Sequence, residues 1–152
     1  MQLKTVSPTL ARLYDKDFLL WTEEIARLLR ARRLDELDIE HIAEEIEDMG
    51  KSQRKELESR LAVLLVHLLK WGWQRDKRSN SWKATVANQR AEIRRLFRQS
   101  PSLRTHVPDS LAECYADAVE EASLETGLPA DTLPQRCPFT PEQILDRDFL
   151  PE

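Results

Sequence analysis

A leucine-rich segment at helical spacing dominates the centre of this 152-residue chain. Its main apolar stripe recurs at i, i+4, i+7, i+11 and i+14, in Leu57, Leu61, Leu64, Leu68 and Trp71. A second apolar stripe runs beside it, in Ala62, Leu65, Val66 and Leu69. A helix that is apolar on most sides must be surrounded by other helices or by lipid. The longest apolar run, 61–69, has nine residues, whereas a membrane span needs ~20, so we expect a core helix and no membrane partner.

The composition extends this helical pattern to the whole chain. Leucine occurs 23 times, whereas valine and isoleucine together occur 12 times and glycine only three times. Leucine keeps its rotamer freedom in a helix and β-branched residues lose it, so this balance favours an all-α fold. The scarcity of glycine also leaves no glycine-rich loop of the kind that binds nucleotide phosphates. The length suits one domain, and we expect a single helical domain over residues 1–152.

Apolar periodicity and capping residues predict an antiparallel helical bundle of four to five main helices plus a short C-terminal helical turn. The predicted helices cover about 17–31, 38–49, 52–73, 82–99 and 108–126, and the helical turn covers 141–146. The residues of the second helix that we expect to face inward are Ile39, Ile42, Ala43 and Ile46. Gly50 interrupts the pattern, and we expect a break or kink there, since glycine in a helix costs ~1 kcal/mol relative to alanine.

Charge is strongly segregated along the chain. The formal net charge of −4 conceals values of −5 for residues 1–50, +10 for 51–104 and −9 for 105–152. The basic fourth helix precedes the acidic fifth helix, and antiparallel neighbours would bring these faces side by side. We therefore expect much of the charge to pair within the molecule or to be solvated. The alternative uses of the basic segment are to bind an acidic protein surface or a nucleic acid.

Aromatic rings interleave with basic residues around the loop 74–81. Positive charge combined with stacking rings suits single-stranded nucleic acid, and the outer face of the fourth helix would extend the patch along phosphates. The candidate binding residues are Arg75, Lys77, Arg78, Lys83, Arg90 and Arg94. Trp71 and Trp82, however, also fall on core stripes. A sequence pI near 5.5 is far from the basic character of such binders, so nucleic acid is the disfavoured partner.

Histidines are the natural candidates for metal or acid–base chemistry. We expect His67, in the core helix, to hydrogen-bond a carbonyl or carboxylate, because a buried ring must satisfy its nitrogens. His41 shares one helical turn with Glu44 and Glu45, but a di-iron bundle needs Glu-x-x-His on two helices and two further glutamates. The sequence therefore predicts no metal and no cofactor, with His41, Glu45 and His67 as weak candidates. No nucleophile–base pair emerges, which argues against an enzyme.

Five segments follow one another in an order and spacing that carry a family resemblance. They are YDKDFLLWTEEIARLLR (14–30), HIAEEIEDMGKSQRKELESRL (41–61), LLVHLLKWGWQ (64–74), RSNSWKATVANQR (78–90) and CPFTPEQILDRDFLPE (137–152). The chain resembles the bacterial domain of unknown function 29 family over nearly its whole length. The resemblance implies an all-helical single domain and transfers no catalytic residue. Gly72 departs from the pattern where we expect a larger residue, so it should loosen the end of the core helix.

Together these patterns predict a non-enzymatic interaction module, adaptor or regulatory, that binds an unknown protein partner through its charged faces. The alternatives are a nucleic-acid-binding protein that uses the basic central segment, and a metal-dependent enzyme with a site in the bundle. The lack of an apolar signal segment predicts a cytoplasmic location, where both cysteines would stay reduced. A homodimer is compatible with the pattern, because extensive complementary faces can pair between copies.

Overall fold

The computed structural model describes residues 8–152, and of Pro8 only the backbone. Within that range the chain forms six α-helices joined by turns and short 3-10 segments, and it contains no strand. The helices are α1 (Pro8–Lys16), α2 (Phe18–Arg30), α3 (Ile39–Trp73), α4 (Asn80–Gln99), α5 (His106–Thr126) and α6 (Pro141–Leu145). The predicted all-α helical bundle is confirmed.

Helix α1 lies outside the helices that the sequence pattern predicts. It has nine residues, too few for a stable isolated helix, and Leu10 anchors it in a core where only 5% of that side chain is exposed. Asp17 alone separates α1 from α2. Its carboxylate accepts a hydrogen bond from the backbone N–H of Leu20 at 3.0 Å, which caps the N-terminus of α2.

The predicted break at Gly50 is wrong, because α3 continues as one helix from Ile39 to Trp73. Gly50 is exposed, and a methyl group placed on it would contact nothing within 4 Å. Glycine is therefore neither required nor excluded by packing at this position. Good helix formers on both sides outweigh its ~1 kcal/mol propensity cost.

The described residues form two compact units, one ending at Lys51 and the other beginning at Ser52. The second unit has a core of twenty buried apolar side chains, which includes the predicted stripe from Leu57 to Leu68. Helices α4, α5 and α6 contribute to this core through residues such as Ile93, Ala118 and Ile144. The expectation of a single domain stays a prediction.

The C-terminal segment packs into the second unit against α3. Thr140 and Gln143 form a capping box at the start of α6, in which the Thr140 side chain accepts the backbone N–H of Gln143 at 3.1 Å and the Gln143 side chain accepts that of Thr140 at 3.0 Å. A methyl group on Gly72 would lie 3.3 Å from Cβ of Pro151. The absence of a side chain at Gly72 therefore leaves room for Pro151 to pack against α3. Instead of the expected loosening, α3 stays helical through this position and ends at Trp73.

The first unit has a much smaller core. Among the residues that the structure describes, five apolar side chains of this unit are buried: Leu10, Trp21, Ile25, Leu28 and Leu37. The expectation that the first part of α3 adds Ile39, Ala43 and Ile46 to a core is wrong, because all three are exposed. Only Ile42 of that predicted inner face packs partly against the five.

Candidate functional site

The basic loop between α3 and α4 is tied to the end of the chain. Arg75 donates a hydrogen bond from Nη2 to the backbone carbonyl of Glu152 at 3.0 Å. Arg78 donates to the carbonyls of Trp71, at 2.8 Å, and Pro151, at 3.4 Å. These two arginines therefore use part of their hydrogen-bonding capacity to hold the C-terminal segment in place. Whether they also bind a ligand stays a prediction.

Arg90 does not lie on an exposed outer face of α4, contrary to the sequence expectation. Only 2% of the residue is exposed, and its guanidinium donates three hydrogen bonds to backbone carbonyls. The acceptors are Ile144 at 2.8 Å, Phe149 at 2.7 Å and Gln143 at 3.2 Å. Burial lowers the pKa of Arg90 from its ordinary value. Amphipathic spacing missed this role, because its acceptors lie more than 50 residues away.

The other basic candidates on the loop and on α4 differ in exposure. Lys77 and Lys83 are exposed, as a binding role would require. Arg94, one turn after Arg90, is half-buried, and its Nη1 atom is buried without a hydrogen-bond partner. Of the three candidate binding residues on α4, only Lys83 is therefore fully exposed, whereas Arg90 is buried and Arg94 is half-buried.

The tryptophan rings near the loop already have partners within the chain. The guanidinium of Arg78 lies 4.9 Å from the ring centre of Trp71, and the ammonium of Lys70 lies 4.6 Å from that of Trp82. Trp73 packs edge to face on Phe139 at 6.5 Å. Rings that the chain itself covers with cations or aromatics offer less free surface for stacking on bases.

Ion pairs between helices run through α3 rather than from α4 to α5. Glu56 of α3 pairs with Arg95 of α4 at 3.3 Å, and Lys70 of α3 pairs with Glu125 of α5 at 2.9 Å. Across residues 9–152 no ion pair joins α4 to α5 directly. The prediction that the basic helix α4 pairs with the acidic helix α5 is therefore wrong. Each of these two helices forms an ion pair with α3 instead.

His67 makes the hydrogen bond expected of a structural histidine. Its Nδ1 donates to the carbonyl of Val63, one turn earlier in α3, at 2.9 Å. The residue is half-buried. In the range that the structure describes, no three His, Cys, Asp or Glu residues are grouped closely enough to hold a metal ion.

His41 and Glu45 meet the same aromatic ring in the first unit. The Tyr14 ring stacks on the imidazole of His41 with ring centres 3.8 Å apart, and its hydroxyl donates to Glu45 Oε1 at 2.5 Å. Asp38, only 3% exposed, accepts hydrogen bonds from Nε1 of Trp21 at 3.2 Å and from Nδ1 of His41 at 2.6 Å. This polar cluster fastens the start of α3 to α1 and α2.

The polar cluster makes the first unit sensitive to pH. The hydrogen bond to Asp38 raises the pKa of His41, and the charges of Asp38, Glu44 and Asp15 act in the same direction. Because the folded-state pKa is raised, the protonated ring adds stability below its unfolded pKa of ~6.5 and loses it as the pH rises through the folded pKa.

We expect His41→Gln to lower the free energy of unfolding at pH 5.5 by about 1 kcal/mol, so the variant should melt at a lower temperature than the unmodified chain. The difference should shrink between pH 5.5 and 8.5, because the neutral imidazole then forms a weaker bond with the carboxylate. Thermal melts of both proteins across this range measure the difference directly. A gap that grows with pH would contradict the assigned role of the protonated ring.

Two surface grooves in the second unit have different linings. One, of about 450 Å³, is bordered by acidic side chains and one lysine, and Cys114 lies in its wall. Burial raises the pKa of the Cys114 thiol, which lies 3.6 Å from the carbonyl of Glu58. The other, of about 620 Å³, is mostly apolar and lies beside Tyr115, whose hydroxyl donates to the carbonyl of Pro134 at 2.5 Å. Cys114 is thus a packed thiol rather than an activated nucleophile.

Exposed apolar side chains concentrate in the first unit. Ten large apolar residues of the described chain are strongly exposed, and eight of them precede residue 52. Those eight are Phe18, Leu19, Leu20, Leu29, Leu34, Ile39, Ile46 and Met49. Single exposed apolar residues are ordinary on a protein surface, so the informative question is which of these eight share one face.

Three of the eight lie on one face of α3. They are Ile39, Ile46 and Met49, and Ala43, which is also exposed, lies among them. The four residues, which we call the exposed stripe, follow at i, i+4, i+7 and i+10 in the order Ile39, Ala43, Ile46 and Met49. The adjoining face of the same helix, where His41 and Glu45 lie, contacts Tyr14 and carries the polar cluster. The sequence pattern grouped Ile39, Ala43 and Ile46 with Ile42 and turned all four inward, whereas in the structure only Ile42 packs partly against the core.

One comparison with known protein families gives a match that covers most of the chain. The family described as Domain of unknown function DUF29 matches residues 13–150. The chain belongs to the DUF29 family. The match begins within α1 and ends after α6, so most of both units of this DUF29 protein lies in the family region. No curated protein and no solved structure matches the chain significantly.

The helices of this DUF29 protein do not have the character of membrane spans. Among residues 8–152, no helix combines the length and the apolar character needed to cross a bilayer. Even α3, with 35 residues, carries charged side chains along most of its length.

Proposed function

We propose that this protein is a non-enzymatic interaction module that binds another protein chain through the exposed stripe. The observation that carries the proposal is the orientation of α3. The helix turns its polar residues toward α1 and α2 and leaves Ile39, Ile46 and Met49 between 55% and 62% exposed. Leaving such a face in water forgoes the stabilisation that burial would provide, and a partner chain supplies it.

The polar cluster supports this orientation as a feature of the fold. Asp38 is buried and bonded to both Trp21 and His41, so a rotation of α3 that hid the exposed stripe would strip a charged carboxylate of its partners. Uncompensated burial of a charge costs several kcal/mol, about as much as burying two large apolar side chains returns. The first unit is therefore held with its apolar face outward.

The contact surface proposed here is apolar, whereas the sequence pattern had pointed to charged faces. Arg75, Arg78 and Arg90 donate hydrogen bonds within the chain, which lowers their availability to a partner. We propose an adaptor or regulatory role for this interaction module.

Site-specific photo-cross-linking in cells tests the proposal. A photoreactive amino acid replaces Ile46 in the exposed stripe, and a matched protein carries it in place of Leu124, which is 80% exposed on α5. Both positions are exposed large apolar residues, so they differ mainly in their surroundings. We expect irradiation to join the position-46 protein to another polypeptide, either a second copy or a different protein, at a higher yield than the position-124 protein.

Equal yields at the two positions would contradict the proposal. The same would follow if neither position gave a covalent product, since a chain bound to the exposed stripe lies within reach of a photoreactive group there.

A further inference from the structure

We propose that a second surface of this protein, on the outer side of α5, binds a basic amphipathic helix of a partner protein. The surface combines an apolar groove with a row of unpaired carboxylates, and both belong to the second unit. The exposed stripe belongs to the first unit, so this inference does not rest on the proposed function.

The groove lies between α5 and the segment 130–137. It consists of two adjoining hollows of about 620 and 410 Å³, which share Ala112, Tyr115 and Gln135. Residues between positions 108 and 119 of α5 form one wall, and residues of the segment form the other. At ~1.5 Å per residue, the wall on α5 is ~17 Å long.

The core holds the second wall in place. The hydroxyl of Tyr115 donates a hydrogen bond to the carbonyl of Pro134 at 2.5 Å. Leu133, in the segment, and Phe139, just after it, are buried side chains of the core. The groove is therefore present before a partner binds, and a preformed site avoids the cost of ordering the chain upon association.

Two exposed alanines open the groove to water. Ala112 and Ala116 lie one turn apart on α5, and their small side chains leave room for larger side chains of a partner. The groove is also lined by Val119, which is half-buried, and by the ring of Tyr115. An aliphatic side chain that entered the groove would remove apolar surface from water on both chains.

The two hollows are spaced for side chains of a helix. Each residue of α5 that lines the larger hollow follows, by four positions, a residue that lines the smaller one. Apolar side chains at i and i+4 of a bound helix are ~6 Å apart along its axis, so one would enter each hollow. A helix also satisfies its own backbone, whereas an extended peptide would need donors and acceptors that the side of α5 does not offer.

A row of carboxylates borders the open side of the groove. Asp109, Glu113 and Glu120 are exposed residues of α5, and we call them the acidic shoulder. At ~100° per residue they lie about 40°, 80° and 60° around the helix from the midpoint between Ala112 and Ala116. A helix seated on the two alanines would therefore lie beside all three carboxylates.

The acidic shoulder has no cations of its own. Among residues 9–152, none of its three carboxylates takes part in an ion pair. Asp131 adds a carboxylate to the lining of the larger hollow, and Arg136 is the cation that lines the smaller one. The excess of negative charge favours a partner helix that carries lysine or arginine beside its apolar residues.

Synthetic amphipathic peptides of ~14 residues, long enough to cover the α5 wall, test the surface. Two peptides share leucines at helical spacing and differ in their polar positions, which hold lysine in one and glutamate in the other. We expect fluorescence anisotropy with the full chain to give a dissociation constant at least ~10-fold lower for the lysine peptide at ~50 mM salt. The difference should shrink at ~500 mM salt, because salt screens the attraction.

A third peptide tests the helical form of the partner. It is the lysine peptide with proline at a central position, which disrupts a helix. We expect it to bind at least ~10-fold more weakly than the lysine peptide, because its two anchor side chains lose their helical spacing. Equal affinity would show that the groove takes an extended segment, and it would overturn the helical partner.

Filling the groove tests where the lysine peptide binds. Ala112→Trp places a large side chain where the two hollows join, and we expect it to weaken binding by ~10-fold or more. Ala91→Trp, at an exposed alanine of α4, is the matched control and should leave the affinity unchanged. Circular dichroism of both variants should match the unmodified chain, because both alanines are exposed. Equal effects of the two substitutions would overturn the groove as the binding site.

Charge reversal on the acidic shoulder gives an independent readout. We expect Glu113→Lys combined with Glu120→Lys to reduce the preference for the lysine peptide over the glutamate peptide by ~10-fold. Glu23→Lys combined with Glu40→Lys changes the net charge equally, at exposed positions of the first unit, and should keep the preference. If the two double variants behaved alike, the preference would come from the charge of the whole chain, and the acidic shoulder would have no part in it.

The outcomes also separate this inference from the proposed function. If Ile46→Asp weakened binding of the lysine peptide and Ala112→Trp did not, the peptide would occupy the exposed stripe, and the groove on α5 would be overturned. Binding of neither peptide at ~1 mM would also overturn it, since even a small interface should be detected there. If sedimentation showed that the chain self-associates and that Ala112→Trp abolishes this, the groove would hold a second copy, and the basic partner helix would be wrong. None of these results changes what cross-linking from position 46 decides.

Discussion

Arg90→Met is expected to destabilise the second unit by ~3–5 kcal/mol. The change leaves the backbone carbonyls of Gln143, Ile144 and Phe149 without their donor, and each buried, unpaired group costs about 1–3 kcal/mol. Removing the cost of a buried charge offsets part of this loss, which sets the upper end of the range. Guanidinium denaturation measures the change in the free energy of unfolding.

The loss should also be local to the C-terminal segment. Hydrogen exchange of residues 140–152 is expected to accelerate more than that of α5, because the guanidinium of Arg90 holds that segment against α4. Arg94→Met is the matched control one helical turn away. Its Nη1 atom has no partner to lose, so we expect a change within about 1 kcal/mol. Equal effects of the two substitutions would refute the assigned role of Arg90.

Asp38→Ala is expected to destabilise the first unit by ~2–4 kcal/mol. The substitution removes the acceptor of both the Trp21 indole and the His41 imidazole, and a unit with five buried apolar side chains has little reserve. Hydrogen exchange across α2 is the appropriate measurement, because it reports on this unit alone. Protection of those amides should fall by a factor of ~30 or more.

Two further variants sharpen the interpretation of this loss. Asp38→Asn keeps one acceptor oxygen and should cost less than Asp38→Ala, while abolishing the pH dependence expected from His41. Glu23→Ala, at an exposed position of α2, should leave the exchange rates nearly unchanged. If Asp38→Ala exchanged no faster than Glu23→Ala, the polar cluster would not be what fastens α3 to the other two helices.

Local sequence predicted the elements of this fold well and their partners poorly. The stripe from Leu57 to Leu68 is buried as its spacing indicates, and the caps at Asp17 and Thr140 lie where their side chains predict. The signals for these features are contained within a few residues. The hydrogen bonds of Arg90 join residues more than 50 positions apart in the sequence, so the periodicity of one helix cannot predict them.

The candidate site shows the same division. An apolar face at Ile39, Ala43 and Ile46 is evident from spacing, but spacing cannot tell whether a core or a partner covers it. The local signal for the orientation of α3 was its polar face, which carries Asp38, His41 and Glu45. If these side chains are buried, they need hydrogen-bond partners from other parts of the chain. Tyr14 and Trp21 supply those partners, and both precede the helix by at least 17 residues.

The sequence by itself determined that this chain is helical, where most of its helices begin and end, and which residues share a helix face. Those properties follow from rotamer freedom, capping and a 3.6-residue period, which all act locally. Only the tertiary structure decided which way each face turns. Burying a charge is tolerated only where distant donors or acceptors meet it, so the polar face at Asp38 and the guanidinium of Arg90 turned inward, and the exposed stripe stayed in contact with water.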